Sequence, residues 1–311
     1  MTEFSHYSVM LRECIEGLQI DPAGIYVDCT LGGGGHSEAI AKRLTTGRLI
    51  GIDQDEAAIR AAGERLAPFD DRVTLVKNNF SNITAILWDL GIEHISGAMI
   101  DLGVSSYQLD TPERGFSYQN DAPLDMRMDT DAAKTAADVV NGYDEASLLR
   151  ILRDYGEEQN AARIASAIVE ARKAHPIQTT FELVEIIKSV TPKKLLAVGH
   201  HPAKKAFQAI RIEVNSELSV IEPTLRALVD ALAPGGRLAV LTFHSLEDRT
   251  VKHTFADLAT GCICPPSYPV CVCGHKAQIE LIGKKPLLPC EEELAENHRS
   301  HSAKLRIAEK L

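Results

Sequence analysis

Through its first hundred residues the chain alternates short apolar runs with stretches of helical spacing. Residues 25–27, 48–52, 72–76 and 94–100 read as strands, rich in Ile, Val and Leu and bounded by Gly, Pro, Asp or Asn. Between them, 37–44, 56–66 and 83–90 read as helices; Ile59, Ala62 and Leu66 fall on one face of the second. Residues 6–18 predict a lead-in helix, and Asp21-Pro22-Ala23-Gly24 the turn after it. Strand and helix in strict alternation predict a mostly parallel, doubly wound α/β sheet. The pattern then breaks. From 111 to about 207 no strand is evident; 146–152, 160–174 and 181–190 read as helices, punctuated by Pro176, Pro192 and Pro202. Alternation resumes with a helix at 217–232, the turn Pro234-Gly235-Gly236, a strand at 237–243, a helix at 247–258 and a strand at 303–308. The expected organisation is a discontinuous sheet domain, 1–112 with 208–311, holding an inserted helical substrate-recognition domain, 113–207.

The first strand runs into Asp28-Cys29-Thr30-Leu31 and four glycines, Gly32 to Gly35, before His36 and a helix. A strand, a glycine turn and a helix start let backbone N–H groups close on a small ligand. The second strand ends in Asp53, about twenty residues past the glycines, where this architecture hydrogen-bonds ribose hydroxyls. The third glycine of the dinucleotide fingerprint falls on Ser37, and no Gly-Lys-Ser/Thr is present for a P-loop. The acid-plus-glycines loop of S-adenosylmethionine (SAM) methyltransferases fits better, with Asp28 as the acid for the methionine ammonium and Thr30 where a glycine often stands. Phe80 follows the third strand and is placed to flank an adenine. Asp101 ends the fourth strand, at the crevice edge where an acceptor amine would meet the sulfonium. His244 ends the fifth strand as a candidate base contact or proton acceptor, whereas Ser245, Glu247 and Asp248 read as a helix N-cap.

Composition adjusts this picture in three places. At 45% hydrophobic and 24% charged, the 311-residue chain has the profile of a globular protein with a sizeable core. No apolar run reaches membrane-spanning length, and seven cysteines without a secretory leader predict reduced thiols and a cytoplasmic protein. A net charge of −10 argues against a nucleic-acid binder, but 188–212 carries Lys188, Lys193, Lys194, Lys204, Lys205 and Arg211, with His200 and His201 and no acid. That stretch is a candidate phosphate-contacting surface. Cys262-x-Cys264 and Cys271-x-Cys273 supply four thiols, yet C-x-C is tighter than the C-x-x-C usual in zinc sites, and no metal is expected. Pro289-Cys290 is rejected as a nucleophile, because Glu291-Glu292-Glu293 would raise its thiol pKa.

Several blocks in fixed order carry a resemblance across nearly the whole chain. They are His6-Tyr7-Ser8-Val9-Met10-Leu11, Gly34-Gly35-His36-Ser37, Asp101-Leu102-Gly103-Val104-Ser105-Ser106 with Gln108-Leu109-Asp110, and Arg114-Gly115-Phe116-Ser117. Pro123-Leu124-Asp125-Met126-Arg127-Met128-Asp129, Val214-Asn215-Ser216-Glu217-Leu218 and Phe243-His244-Ser245-Leu246-Glu247-Asp248-Arg249 follow. The sequence resembles the bacterial 16S ribosomal RNA (cytosine-N4) methyltransferases, the MraW or RsmH family. The resemblance implies SAM as cofactor and N4 methylation of a cytidine in the decoding region of 16S rRNA on the small ribosomal subunit. It also implies cofactor contacts at Gly34, Gly35, His36, Asp53, Phe80, Asp101 and Gln108, and pairing as homodimers; no membrane partner is expected. Alternatives to this reading are a methyltransferase acting on a protein or small molecule, and a non-catalytic SAM-binding factor in ribosome assembly.

Overall fold

The computed structural model describes residues 8–192, 201–265, 270 and 272–311. His6, Tyr7, Lys193, Lys194, His200 and Cys271 therefore lie outside the described residues. The chain divides into two compact units, Met1–Gly103 with Leu218–Leu311, and Val104–Glu217. The insertion starts earlier and ends later than the expected 113–207. It leaves the sheet two residues after the fourth strand, and it keeps the helix Lys204–Asn215, whose Phe207, Ile210 and Val214 sit in the helical core.

The first unit is a seven-stranded sheet in the order β3-β2-β1-β4-β5-β7-β6. Its strands are β1 (Ile25–Asp28), β2 (Arg48–Asp53), β3 (Val73–Lys77), β4 (Ile95–Asp101), β5 (Leu232–Thr242), β6 (Ile279–Leu281) and β7 (Lys304–Lys310). The five from β3 to β5 pair in parallel, whereas β7 is antiparallel to β5 and to β6. Chain order reverses at β1 and β4, the topological switch point at which open α/β sheets bind ligands. The expected Pro234-Gly235-Gly236 turn lies within β5 rather than before it. Pairing jumps from Ile95↔Leu232 to Gly97↔Arg237, and Gly235 takes φ +80° in the looped-out residues between.

Neighbouring strand residues serve opposite faces of this sheet. Ile50, Ile100 and Val240 pack with the helices Ile83–Asp89, Ile221–Ala231 and Ser245–Leu258. Leu49, Met99 and Leu241 pack with Leu11–Leu18, Gly35–Ala41 and Glu56–Leu66. Asp248 receives Lys304 at 3.0 Å and Arg306 at 2.8 Å, which ties the helix Ser245–Leu258 to β7.

Among its described residues the second unit's regular elements are all helices, joined by long irregular stretches such as 115–135, with one isolated bridge, Pro123↔Thr179. Capping boxes at Thr135/Asp138 and Thr179/Glu182 start two of its helices by satisfying N-terminal amides. Asn215 draws together loop segments distant in sequence: its Nδ2 donates to Met126 O and its Oδ1 accepts from Met128 N–H, both at 2.8 Å. Arg114 Nη2 donates to Arg127 O and Met128 O in the same knot.

The sequence reading missed the helices Ser106–Asp110, Ala136–Gly142, Lys204–Asn215 and Glu291–Glu296, and the strand β6. Three of these helices span two turns or fewer, too short for periodicity to register. Lys204–Asn215 was legible from the spacing of Phe207, Ile210 and Val214, which its lysines and the preceding Pro202 obscured. No described helix is long and apolar enough to cross a membrane.

Candidate active site at the carboxyl edge of the sheet

Three parallel strands, β1, β2 and β4, each end in an aspartate: Asp28, Asp53 and Asp101. Register pairs Asp28 with Gly51 and Met99, so the three acids sit along one carboxyl edge at the switch point.

The environments of the three differ. Asp28 is 1% exposed; its Oδ2 accepts from Ser37 Oγ at 2.7 Å and its Oδ1 from Thr30 N–H at 3.2 Å. Both contacts brace the glycine loop. Burial raises the Asp28 pKa, against the pull of those two hydrogen bonds. Asp53 Oδ2 accepts from Gly32 N–H at 2.8 Å and Oδ1 from Asp55 N–H at 2.9 Å. Burial pushes its carboxyl up to about 6, with both amides resisting.

Asp101 is the most perturbed of the three. Burial lifts its carboxyl to about 8, helped by the negative charges of Asp28 and Glu247. Its Oδ1 is buried with no hydrogen-bond partner, while its backbone N–H donates to Thr30 Oγ1 at 2.6 Å. Thr30, which the sequence marks as standing where such loops often carry glycine, thus has its hydroxyl at work on the fourth strand end.

The glycine loop is held open by defined contacts. Gly34, at φ +78°, caps the helix Gly35–Ala41 in a conformation that favours glycine. A side chain on Gly35 would run into Ser8 Oγ at 2.0 Å, whereas Gly33 faces open space. His36 is buried; its Nε2 lies 3.1 Å from Val9 O, and its Nδ1 is 3.9 Å from Asp101 Oδ2. That separation is too long for a hydrogen bond. Burial lowers the ring to about 4, in spite of the Val9 contact, so it is neutral and donates through Nε2. His36 is thus a wall of the site beside Asp101. Phe80 is half-buried against the core, in a turn capped by Asn79.

His244 lies two residues beyond β5 and uses one ring nitrogen locally. It is the N-cap of the helix Ser245–Leu258: its Nδ1 accepts from Glu247 N–H at 3.4 Å, and Glu247 Oε2 accepts from Phe243 and His244 N–H at 2.8 and 3.2 Å. Its Nε2 lies 3.0 Å from Glu247 Oε1 but out of line for a hydrogen bond. The cap expected at Ser245 therefore falls one residue earlier, at His244. Gln108 belongs to the helical unit, where its Oε1 accepts from Ser105 N–H at 3.0 Å in a capping box.

The donor set fits a cationic adenosyl ligand: two carboxylates at the open edge, a glycine cradle with room over Gly33, and a buried acceptor atom without a partner. Such an arrangement attracts positive charge and excludes a phosphate beside Asp53 and Asp101.

The basic stretch fares differently. Lys188 pairs with Glu185 at 2.8 Å, and Arg211 is held by Glu217 through two contacts of 2.9 Å. His201 stacks on Tyr118 at 4.4 Å, and burial, with Lys188 nearby, lowers its pKa. Lys204 and Lys205 remain exposed on the first turn of the helix Lys204–Asn215, and Lys205 Nζ donates to Glu157 O at 2.9 Å. Cys290 Sγ accepts from Glu293 N–H as a helix cap.

Residues 3–311 match the MraW methylase family. The chain is similar to Ribosomal RNA small subunit methyltransferase H 2 of Agathobacter rectalis, 59% identical over 310 residues and 99% of both chains. It is similar also to Ribosomal RNA small subunit methyltransferase H of Lachnospira eligens, 56% identical over 99% of this chain and 98% of that one. The protein of the same name in Clostridioides difficile is 54% identical over 99% of this chain and 100% of its own.

Proposed function

The chain belongs to the MraW methylase family, and from that premise we propose that it transfers a methyl group from SAM to the N4 amine of a cytidine in 16S ribosomal RNA. The substrate is the decoding region of the small subunit, in the cytoplasm. The observation that carries this reading is the run of strand-end aspartates closing on a glycine cradle, with Asp101 Oδ1 unpartnered. Bound SAM supplies a methyl group already activated on a positively charged sulfur.

The protein's own work is positional and electrostatic. Asp53 accepts the ribose hydroxyls while it holds Gly32, and the loop it fixes seats the amino-acid end. An exocyclic cytosine amine is a poor nucleophile because its lone pair is delocalised into the ring. Asp101 Oδ1 accepts an N–H of that amine and turns its lone pair toward the methyl carbon. Most of the rate comes from in-line placement of atoms roughly 3–3.5 Å apart. Ionised by the sulfonium beside it, a carboxyl whose pKa is otherwise about 8 is basic enough to receive the proton the amine sheds. No covalent enzyme intermediate is needed. His36, neutral and fixed by Val9, places no positive charge of its own beside Asp101.

The helical unit is the RNA-gripping part of this proposal. Two lysines on the first turn of a helix oppose the helix dipole, an arrangement that a phosphate would reward. Lys204→Glu with Lys205→Glu raises the KM for small subunits roughly tenfold and flattens its salt dependence. Steady-state kinetics at two salt concentrations check this, and unchanged KM removes the surface from the proposal.

The proposal as a whole is tested by incubating small subunits from a strain lacking this gene with methyl-labelled SAM and the protein, then digesting the RNA to nucleosides. Label in N4-methylated cytidine is the expected result. Label in ribosomal protein, or in no product, refutes it.

A further inference from the structure

We infer that Cys262, Cys264 and Cys273 form a structural zinc site that holds the loop between the helix Ser245–Leu258 and β6. The three sulfurs lie within 4.8 Å of one another, and Cys262 Sγ is 3.8 Å from Cys273 Sγ. Two thiolates on one tetrahedral zinc, each at about 2.3 Å, stand roughly 3.8 Å apart. A disulfide would require about 2.05 Å. The donors are all sulfur, the set that selects zinc or another soft ion over magnesium or calcium.

Two further observations support a metal here. Backbone amides are aimed at the sulfurs: Val272 N–H donates to Cys264 Sγ at 3.3 Å, and His275 N–H to Cys273 Sγ at 3.4 Å. Such donors stabilise negative charge on sulfur and orient it, as the surroundings of metal thiolates do. His275 Nδ1, 2.7 Å from Gly261 O, ties the two arms of the loop together behind the cluster.

The loop has little apolar packing to hold its shape. None of its described residues from 260 to 278 belongs to the three hydrophobic cores. Ile263, Val270 and Val272 are instead 62, 70 and 73% exposed. A segment with no core of its own is the kind that metals staple.

This reverses the sequence-based expectation of no metal. The tight C-x-C spacing counts against a site only while its two thiols are considered alone. In the fold the sulfurs come from two arms that face each other, so the ion is clamped across the loop. The sequence adds a fourth thiol, Cys271, outside the described residues; the inference rests on the three described. Binding releases the thiol protons to solvent and leaves no oxidation state changed.

The test uses the full-length protein without a polyhistidine tag, purified without chelator, with its metals measured by inductively coupled plasma mass spectrometry. One zinc per chain is expected. In the Cys262→Ser, Cys273→Ser double variant this falls below about a tenth, while SAM binding by calorimetry reports whether the sheet unit remains folded. Should that variant not fold, cobalt(II) added to metal-stripped wild type gives a strong sulfur-to-cobalt charge-transfer band. Wild type holding less than about a tenth of an ion per chain and giving no such band would overturn the inference. So would a Cys262–Cys273 disulfide in the protein as isolated.

Discussion

Asp101→Asn lowers kcat for RNA methylation roughly a hundredfold or more, and in the same molecule raises the melting temperature above pH 8. The two effects share one cause. Unfolded, this carboxyl ionises near 4; folded, burial and the charges of Asp28 and Glu247 hold it to about 8. A carboxyl raised on folding contributes its full stability below the unfolded value and loses it as pH climbs through the folded one. At pH 8 to 9 the wild type therefore carries a buried charge that Asn lacks, and the variant melts higher by roughly 3 °C or more. At pH 4 to 5 the two converge. The backbone N–H that binds Thr30 Oγ1 is kept, so the loop geometry survives the change. Scanning calorimetry at both pH values and single-turnover kinetics check the pair. Unchanged kcat, or a variant less stable than wild type at pH 9, would contradict the role given to Asp101.

Asp53→Ala has the largest expected effect on cofactor affinity. The side chain accepts from two backbone amides, Gly32 and Asp55, as well as facing the ribose position. Its removal loses the ligand contact and frees the loop at once, for a loss of about a hundredfold in SAM affinity. Asp53→Asn retains one acceptor oxygen and falls between the two. The carboxyl titrates at about 6 in the folded protein. Wild-type affinity therefore weakens as pH falls through 6, while the alanine variant shows no such dependence. Calorimetric titration at pH 5.5 and 7.5 separates these outcomes, and equal affinity in wild type and Asp53→Ala would refute the assignment.

Much of the site was legible because strand ends are legible. Apolar runs that stop at Asp28, Asp53 and Asp101 announce three carboxylates on one sheet edge before any coordinates exist. What a strand end does not reveal is where the side chain finds its partner. Asp28, expected to contact the ligand, also binds Ser37, which the sequence marks as the place where a third glycine fails. His244-Ser245-Leu246-Glu247-Asp248 offers two cap frames one residue apart, and the sequence alone does not choose between them. The fold takes the frame in which Glu247 is buried, and this turns the imidazole into a cap.

Composition also leaves the pairing of the basic stretch unseen. Composition over 188–212 cannot see Glu185 and Glu217, which lie just outside the window and neutralise Lys188 and Arg211. The cysteine loop is the converse case, where spacing argued against what the facing arms bring together. Local rules hold well for elements and strand ends, and fail where a partner comes from a distant segment.

The central claim is that a cationic sulfur is held beside the Asp101 carboxylate. Its most direct test is the ratio of affinities for SAM and for its neutral product, S-adenosylhomocysteine, measured by calorimetry from pH 6 to pH 9. His36, neutral throughout this range, adds nothing to the dependence. The account predicts that preference for SAM rises with pH through about 8, by roughly tenfold for each unit by which the sulfonium lowers the Asp101 pKa. It also predicts that Asp101→Asn makes the ratio flat above pH 7. A wild-type ratio independent of pH, or one that keeps its slope in the variant, would contradict it.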